Sequence, residues 1–146
     1  MSTYGYPDWS PARDYLSGLS GSQIIVEWEL SAPGAPILYT VGIGKTFVVT
    51  RVISCLSGFG NGTNNGAWIK SQILVPNGLS GAEFPFKFFM QALYLGANSG
   101  DNSVVVVDGP IAIQGGTAGN DITYTLAQSL TGAISGSATI LGVELN

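Results

Sequence analysis

The chain has 146 residues, a length that suits one domain with a core that needs no disulfide or metal to hold it. Gly accounts for 21 residues and charged side chains for only 10%, a composition that favours short strands and tight turns over helices with charged faces. The net charge is −4 and the basic residues are scattered along the chain, so neither nucleic acid nor a membrane surface is an expected partner.

The first 22 residues differ from the rest and are predicted to form an extended N-terminal arm ahead of a domain at residues 23–146. The arm carries four aromatic side chains among Gly and Pro residues: Tyr4, Tyr6, Trp9 and Tyr15. Ser10 and Pro11 favour a short helix that ends at Gly18. Because aromatic side chains are enriched at protein interfaces, we expect these four to bind a partner protein; the alternative is a lid over the arm's own domain. No apolar secretory signal is recognised in this segment.

Alternation of apolar and polar residues dominates from Gln23 onward and predicts strands. In Val26–Leu30 the three apolar residues share one face and the two Glu residues share the other, which predicts a half-buried strand. Ile37–Val41 and Thr46–Leu56 flank Gly42–Lys45, a pattern typical of two strands joined by a tight turn. The first part of the domain is therefore expected to contain three strands.

Four more alternating segments follow: Trp68–Val75, Phe84–Gln91, Ile122–Leu126 and Leu141–Leu145. In the second of them, the alternation places four apolar residues on one face: Phe84, Phe86, Phe88 and Met90. Val104–Val107 is also a predicted strand, because it is too short and too β-branched for a helix. Segments rich in Gly, Asn and Ser are predicted loops: Ser57–Gly66, Pro76–Gly81, Ala97–Asn102 and Gly115–Asn120. About eight strands without helices between them predict an all-β domain, an antiparallel β-sandwich or jelly roll.

Histidine is absent from the chain, which removes Ser-His-Asp and Cys-His catalysis and the usual zinc sites. Glu27 and Glu29 lie on one strand face, about 6–7 Å apart. Glycosidases use two carboxyl groups at such separations, but usually from different strands across a cleft, so a solvated face explains this pair better. The sequence therefore predicts a protein that is not an enzyme and that has no cofactor and no metal site.

Cysteine and aspartate offer two weaker signals. Cys55 is the single cysteine and lies in the apolar run Val52–Leu56, so it is predicted to be a buried thiol that packs as a small hydrophobic side chain. Asp101, Asp108 and Asp121 fall in or beside loops and could hold calcium, as in jelly-roll modules that bind sugars, although turn chemistry also explains them.

Trp68 is the candidate contact residue within the domain. It is predicted to lie beside Lys70 and Gln72, on the strand face opposite Ile69 and Ile73. It could stack on a sugar ring, anchor a contact with a partner, or be buried if both faces of its sheet are covered. The mean hydropathy of +0.33 is high for a domain with so few charges, which indicates that other subunits cover part of the surface.

Two stretches resemble small jelly-roll proteins of tailed-phage virions. Tyr39–Thr50 is similar to their strand–turn–strand motif Tyr-x-Val-Pro-x-Gly-Lys-x-Phe-x-Val-Thr, with Gly42 where the family favours Pro. Asp108–Ile111, Asp121–Tyr124 and Ile140–Glu144 resemble the last strands of these proteins. The resemblance covers about a third of the chain, and its motifs are structural.

The resemblance implies a role in making contacts, because the family contains capsid decoration (cement) proteins and tail or fibre head domains that are often trimeric. It carries over no catalytic residue. The expected function is that of a virion structural protein, assembled in the host cytoplasm, that binds the major capsid protein or another virion protein and forms a homotrimer. The alternative is a carbohydrate-binding module or receptor-binding tip of a phage tail or fibre, in which Trp68 and the Ser57–Gly66 loop would bind a glycan.

Overall fold

Eight strands organise the residues that the computed structural model describes, which are 21–60, 67–82, 84–129 and 133–146. The strands are β1 (Gly21–Leu30), β2 (Ile37–Val41), β3 (Thr46–Phe59), β4 (Ala67–Val75), β5 (Phe86–Leu95), β6 (Gly100–Gln114), β7 (Asn120–Gln128) and β8 (Ile134–Leu145). Within these residues there is no helix of the length and apolarity that crossing a bilayer requires. The predicted all-β class and strand number are confirmed.

Two four-stranded sheets contain these strands. Sheet A has the order β1-β8-β3-β6 and sheet B has the order β2-β7-β4-β5, and every neighbouring pair is antiparallel. Only β4 and β5 are consecutive in the chain and also paired; every other connection passes from one sheet to the other. This connectivity is that of an eight-stranded jelly roll, which confirms the more specific of the two predicted folds.

The turn between β2 and β3 differs from the hairpin that its sequence suggests. The turn itself forms as expected, since the Lys45 N–H donates to the Gly42 carbonyl at 3.1 Å and Gly44 has a φ of 70°. The two strands, however, lie in different sheets, because β2 pairs with β7 whereas β3 pairs with β6 and β8. These long-range pairings bury the apolar faces of both strands, so the turn joins the two layers of the sandwich.

The core lies between the two sheets. Its largest fully buried side chains come from both layers: Tyr124, Phe47, Leu56, Ile69, Ile73, Ile113, Ile122, Leu126, Ile140, Val41, Val49 and Val52. On β8 the residues that face this core are mostly small, and they include Gly136, Ala138 and Gly142. A Cβ atom at Gly142 would lie 2.5 Å from a ring carbon of Phe47, so the glycine makes room for the aromatic ring.

A bulge in β5 overturns the predicted shared face of Phe84, Phe86, Phe88 and Met90. Ile73 pairs with Phe89 and the next residue of β4 pairs with Lys87, so Phe88 is an extra residue in β5. Past such a bulge the side chains exchange faces. Phe89 therefore points into the core, whereas Met90 lies on the outside with 70% of its side-chain surface exposed.

Cys55 is exposed, so the prediction of a buried thiol is wrong. Its neighbours Ser54 and Leu56 are both fully buried. Because successive residues of a strand point to opposite faces, Cys55 must lie on the outer side of sheet A. An apolar run in a strand with both faces apolar gives no indication of which residues are inside.

Two of the predicted loops are shorter than expected. Ser57, Gly58 and Phe59 pair with residues 100–102, so both ends of this connection extend strands β3 and β6. Residues 61–66 of the predicted Ser57–Gly66 loop lie outside the described residues, as do Tyr4, Tyr6, Trp9, Tyr15 and the predicted short helix. Gly21 and Ser22, placed in the arm by the sequence, belong to β1.

Candidate contact surfaces

The outer face of sheet A carries apolar side chains across all four strands. We call these residues the A face: Ile25, Leu141, Ile53, Cys55, Val104 and Val106. Ile25, Val104 and Val106 have 65%, 63% and 52% of their surface exposed. Contiguous exposed apolar patches of this kind typically mark surfaces that bind another protein.

Charges on the A face lie at two places. Arg51 on β3 donates from Nε to the Asp108 carboxylate on β6 at 2.5 Å, so these two charges neutralise each other. Glu27 and Glu29 lie at the other side of the face, on the edge strand β1, opposite Thr139 and Ser137. Both carboxylates are exposed, and neither forms an ion pair with a described residue.

The outer face of sheet B carries an aromatic and basic patch on β4 and β5. We call its residues the B face: Trp68, Lys70, Gln72, Lys87, Met90 and Tyr94. Trp68 lies directly opposite Tyr94, and Gln72 lies opposite Met90, so the large side chains meet across the two strands. Tyr94 and Met90 are about 70% exposed.

Trp68 is half-buried on the outer side of β4, which excludes the interpretation that it lies in the core. Its backbone N–H donates to Ser129 Oγ at 2.9 Å, and its carbonyl accepts from the Ser129 N–H at the same distance. The ammonium of Lys70 lies 4.6 Å from the centroid of the Trp68 ring and covers part of one ring face. The backbone of Trp68 is thus bonded to Ser129, which follows β7, and the indole remains at the surface.

Tyr94 and Met90 are contact candidates that the sequence did not single out. Residues 93–95 alternate as buried Leu93, exposed Tyr94 and buried Leu95, so the period of two continues to the end of β5. Extending the predicted alternation beyond Gln91 would have placed Tyr94 on the same face as Phe84, Phe86 and Phe88, but the bulge at Phe88 reverses the faces of the residues that follow it. Met90 could not have been placed, because the bulge at Phe88 has no distinctive sequence signal.

The three candidate calcium ligands are in different places. Asp101 accepts from the Asn102 N–H at 2.8 Å, Asp108 pairs with Arg51, and Asp121 accepts from Thr40 Oγ1 at 2.6 Å. Asp101 and Asp108 lie seven residues apart on β6, a distance of about 23 Å, and Asp121 lies in the other sheet. Across the described ranges, no three Asp, Glu or Cys side chains gather where they could hold a metal ion.

A polar cluster joins the two sheets near the end of β8. Glu144 accepts from Lys45 Nζ at 2.6 Å and from the Tyr39 hydroxyl, so it connects β8 of sheet A with β2 and the turn that follows β2. The hydrogen bonds from Lys45 and Tyr39 lower the pKa of Glu144 below its usual value. Burial and the neighbouring carboxylate raise the pKa of Tyr39 to about 12. Neutral Tyr39 and ionised Glu144 therefore hold the two sheets together by a hydrogen bond, and Lys45 adds an ion pair. We call this group of three side chains the latch. Neither Tyr39 nor Glu144 titrates near neutral pH.

A cleft of about 520 Å³ opens where β3, β6 and β8 meet at one end of sheet A. Phe59, Asp101 and Ile134 are among the residues that line it. The Ser57–Phe59 end of this cleft belongs to sheet A, whereas Trp68 lies on the outer face of sheet B. The described residues therefore do not combine the two parts of the predicted glycan site into one surface.

No family model and no curated protein matches the chain. It is similar to a solved structure of Bacillus endospore appendages, described as disulfide-linked pili, with 12% identity, a TM-score of 0.27 and coverage of 87% of this chain and 88% of that chain. It is also similar to a structure of infectious bursal disease virus, Gx strain, with 10% identity, a TM-score of 0.37 and coverage of 84% of this chain but 32% of that chain. Similarities this distant carry no argument about function.

Proposed function

We propose that the chain is a virion structural protein, a capsid decoration protein that docks through its N-terminal arm and self-associates through the outer faces of its jelly roll. The main support is the A face, where Ile25, Val104 and Val106 are each more than half exposed. Such a surface is costly to leave in water and is typical of a protein that works by contact. The similarity of Tyr39–Thr50 to phage virion proteins supports the virion as the place of action.

Binding to capsids lacking this protein tests the docking part of the proposal. In the full chain, replacing Tyr4, Tyr6, Trp9 and Tyr15 with Ala should abolish co-sedimentation with capsids of the virus that encodes it. A second variant should lack residues 1–20, a cut that spares β1. Ile43→Ala is the matched control, since Ile43 is 68% exposed in a turn away from both faces. Unchanged binding by the arm variants would refute docking through the arm.

A carbohydrate-binding module or a receptor-binding tip is the second candidate, and the pairing of Trp68 with Tyr94 supports it. Two aromatic side chains opposite each other on a sheet surface provide a platform for a sugar ring. A glycan array should then show binding by the wild type that Trp68→Ala abolishes. Lys70→Ala should strengthen that binding, because the ammonium occupies part of the indole face. An array without signal, with and without calcium, would rule this candidate out.

A further inference from the structure

Among the residues that define the A face with its β1 side and the B face, the unpaired charges differ in sign. Among the basic residues, Lys45 and Arg51 are held in ion pairs with Glu144 and Asp108. The other two described basic residues, Lys70 and Lys87, are exposed on the B face and have no carboxylate partner among the described residues. The B face therefore carries two positive charges that nothing in the described structure balances.

The acidic residues show the opposite distribution. Asp101 and Asp121 accept hydrogen bonds from neutral groups and keep their charges, but Asp101 lies at the end of β6 and Asp121 on β7, outside the residues that define the two faces. Glu27 and Glu29 lie on the β1 side of the A face, both exposed and about 6–7 Å apart along one strand. This side of the A face therefore carries two negative charges without a cationic partner among the described residues.

Each face also offers apolar side chains next to its charges. Ile25 flanks Glu27 on β1 and lies opposite Leu141 on β8. On the other sheet, Met90 and Tyr94 flank the strand position that faces Lys70. Protein interfaces combine an apolar centre with polar and charged groups at the rim, and the two faces match in both respects.

We propose that the β1 side of the A face of one copy binds the B face of the next copy, with Glu27 and Glu29 meeting Lys70 and Lys87. Among the described residues that define them, the A face with its β1 side has no free cation and the B face has no free anion, so a contact between two copies of one face would bring like charges together. The A-to-B contact brings opposite unpaired charges together. Such a contact is heterologous, and it closes into a ring when the rotation between copies permits.

This inference rests on the proposed self-association and names the surfaces that carry it. It assigns no role to the N-terminal arm, so capsid docking and self-association can fail independently. A ring of three copies would place one arm per copy around a common axis. The contact is electrostatic at its rim, and salt screens exposed charges over about 8 Å at physiological ionic strength, so added salt should weaken the assembly.

Charge reversal tests the contact in the full-length protein. Glu27→Lys with Glu29→Lys should raise the dissociation constant for self-association by about tenfold or more, as should Lys70→Glu with Lys87→Glu, because each leaves like charges facing. The variant with all four substitutions restores opposite charges and should return the constant to near that of the wild type. Asp101→Lys is the control, as it reverses one carboxylate charge away from the proposed contact. Sedimentation equilibrium over a range of concentrations gives the constants.

Three results would overturn the inference. If both double variants associate like the wild type, the interface is elsewhere, although self-association itself stands. If the fourfold variant fails to recover while its circular dichroism and melting temperature match those of the wild type, complementarity between these charges is refuted. A wild type that is monomeric at every concentration would refute self-association and this contact together, whatever the capsid assay gives.

Discussion

Sheet A has apolar side chains on both sides, and the two sides differ in what covers them. On the inner side Phe47, Val52 and Ile140 are at most 1% exposed, packed against sheet B. On the outer side Val104 and Val106 are more than half exposed. The same kinds of residue occupy both positions, so residue type alone does not determine which side becomes the interior.

The residues of strand β8 show which feature determines the inner side of sheet A. Its inward positions are occupied largely by small residues, whereas Leu141 and Val143 point outward. Phe47 and Tyr124 fill the space that Gly142 and Gly136 leave on the inner side. The interior is therefore defined by aromatic side chains that fit against glycines, and the outer side has no such complement among the described residues.

The substitution expected to disturb the packing of the inner side most is one that fills the space at Gly142. We expect Gly142→Ala to lower the free energy of unfolding by about 2–3 kcal/mol, because its Cβ would lie 2.5 Å from the Phe47 ring and 2.6 Å from the Val48 carbonyl oxygen. Urea denaturation measures the change. Adding Phe47→Leu should cost less in this variant than in the wild type, since the smaller side chain relieves the contact.

The outer side of the same sheet provides the control. Ala112 lies on β6 with its side chain exposed, and Val is favourable in strands. Ala112→Val should change the free energy of unfolding by less than about 0.5 kcal/mol. Equal losses from the two substitutions would mean that the inner side is not packed as tightly as the distances at Gly142 imply.

The next substitution is at Glu144, at the edge of the interior, where polar groups join the two sheets. We expect Glu144→Gln to cost about 1–2 kcal/mol at neutral pH, since it weakens the hydrogen bonds from Lys45 and Tyr39 to a charged, mostly buried acceptor. The 42% exposure of the Lys45 side chain keeps the ion-pair contribution at the low end. Chemical denaturation of both proteins measures the difference.

The cost should depend on pH with a definite sign. Because the pKa of Glu144 is lower in the folded protein, its contribution is present above the unfolded pKa, about 4.3, and is lost as the pH falls through the lower folded value. Tyr39, with its pKa raised to about 12, adds stability that is complete below about pH 10 and is lost above it. The difference between wild type and Glu144→Gln should thus shrink in acid; a difference that stays constant down to pH 2 would contradict the latch.

Sequence periodicity predicted the fold well because a jelly roll consists of short alternating strands, and Ile69, Ile73 and Tyr124 are buried as their patterns indicate. It could not assign faces in two places. At Phe88 one extra residue reverses the alternation, and bulges depend on pairing with β4 that is not encoded locally. At the end of β8, Leu141 and Val143 face outward. The inner side of this strand has glycines, because Phe47 of β3 and Tyr124 of β7 need the space, and these contacts are distant in sequence.

The candidate contact surfaces were predictable only in part. Trp68 was found because it breaks the pattern of its own strand. The B face as a whole depends on Tyr94 lying opposite Trp68, a register that only the sheet supplies. The separation of Glu27 and Lys70 onto different faces likewise depends on which sheet each strand joins, and local sequence does not determine that.

The last prediction contrasts two tyrosines that undergo the same change. The hydroxyl of Tyr124 is buried near the Ser54 and Ser71 side chains but makes no hydrogen bond of normal geometry with a described residue, and burial raises the pKa of this phenol. Removing an unpaired buried polar group is neutral or favourable, so Tyr124→Phe should leave the free energy of unfolding unchanged or raise it by up to about 1 kcal/mol. Tyr39→Phe should instead lower it by about 1 kcal/mol, since Tyr39 donates to Glu144.

The opposite signs of these two changes make the pair its own control, because each removes one hydroxyl from a phenol ring. Urea denaturation of both variants at pH 7 measures them under identical conditions. A loss of more than about 1 kcal/mol for Tyr124→Phe would show that the buried hydroxyl is hydrogen-bonded in solution. A polar contact would then stabilise the centre of the sandwich, as the hydrogen bonds to Glu144 do at one end. The fit of aromatic rings against glycines would then contribute less to the stability of the interior.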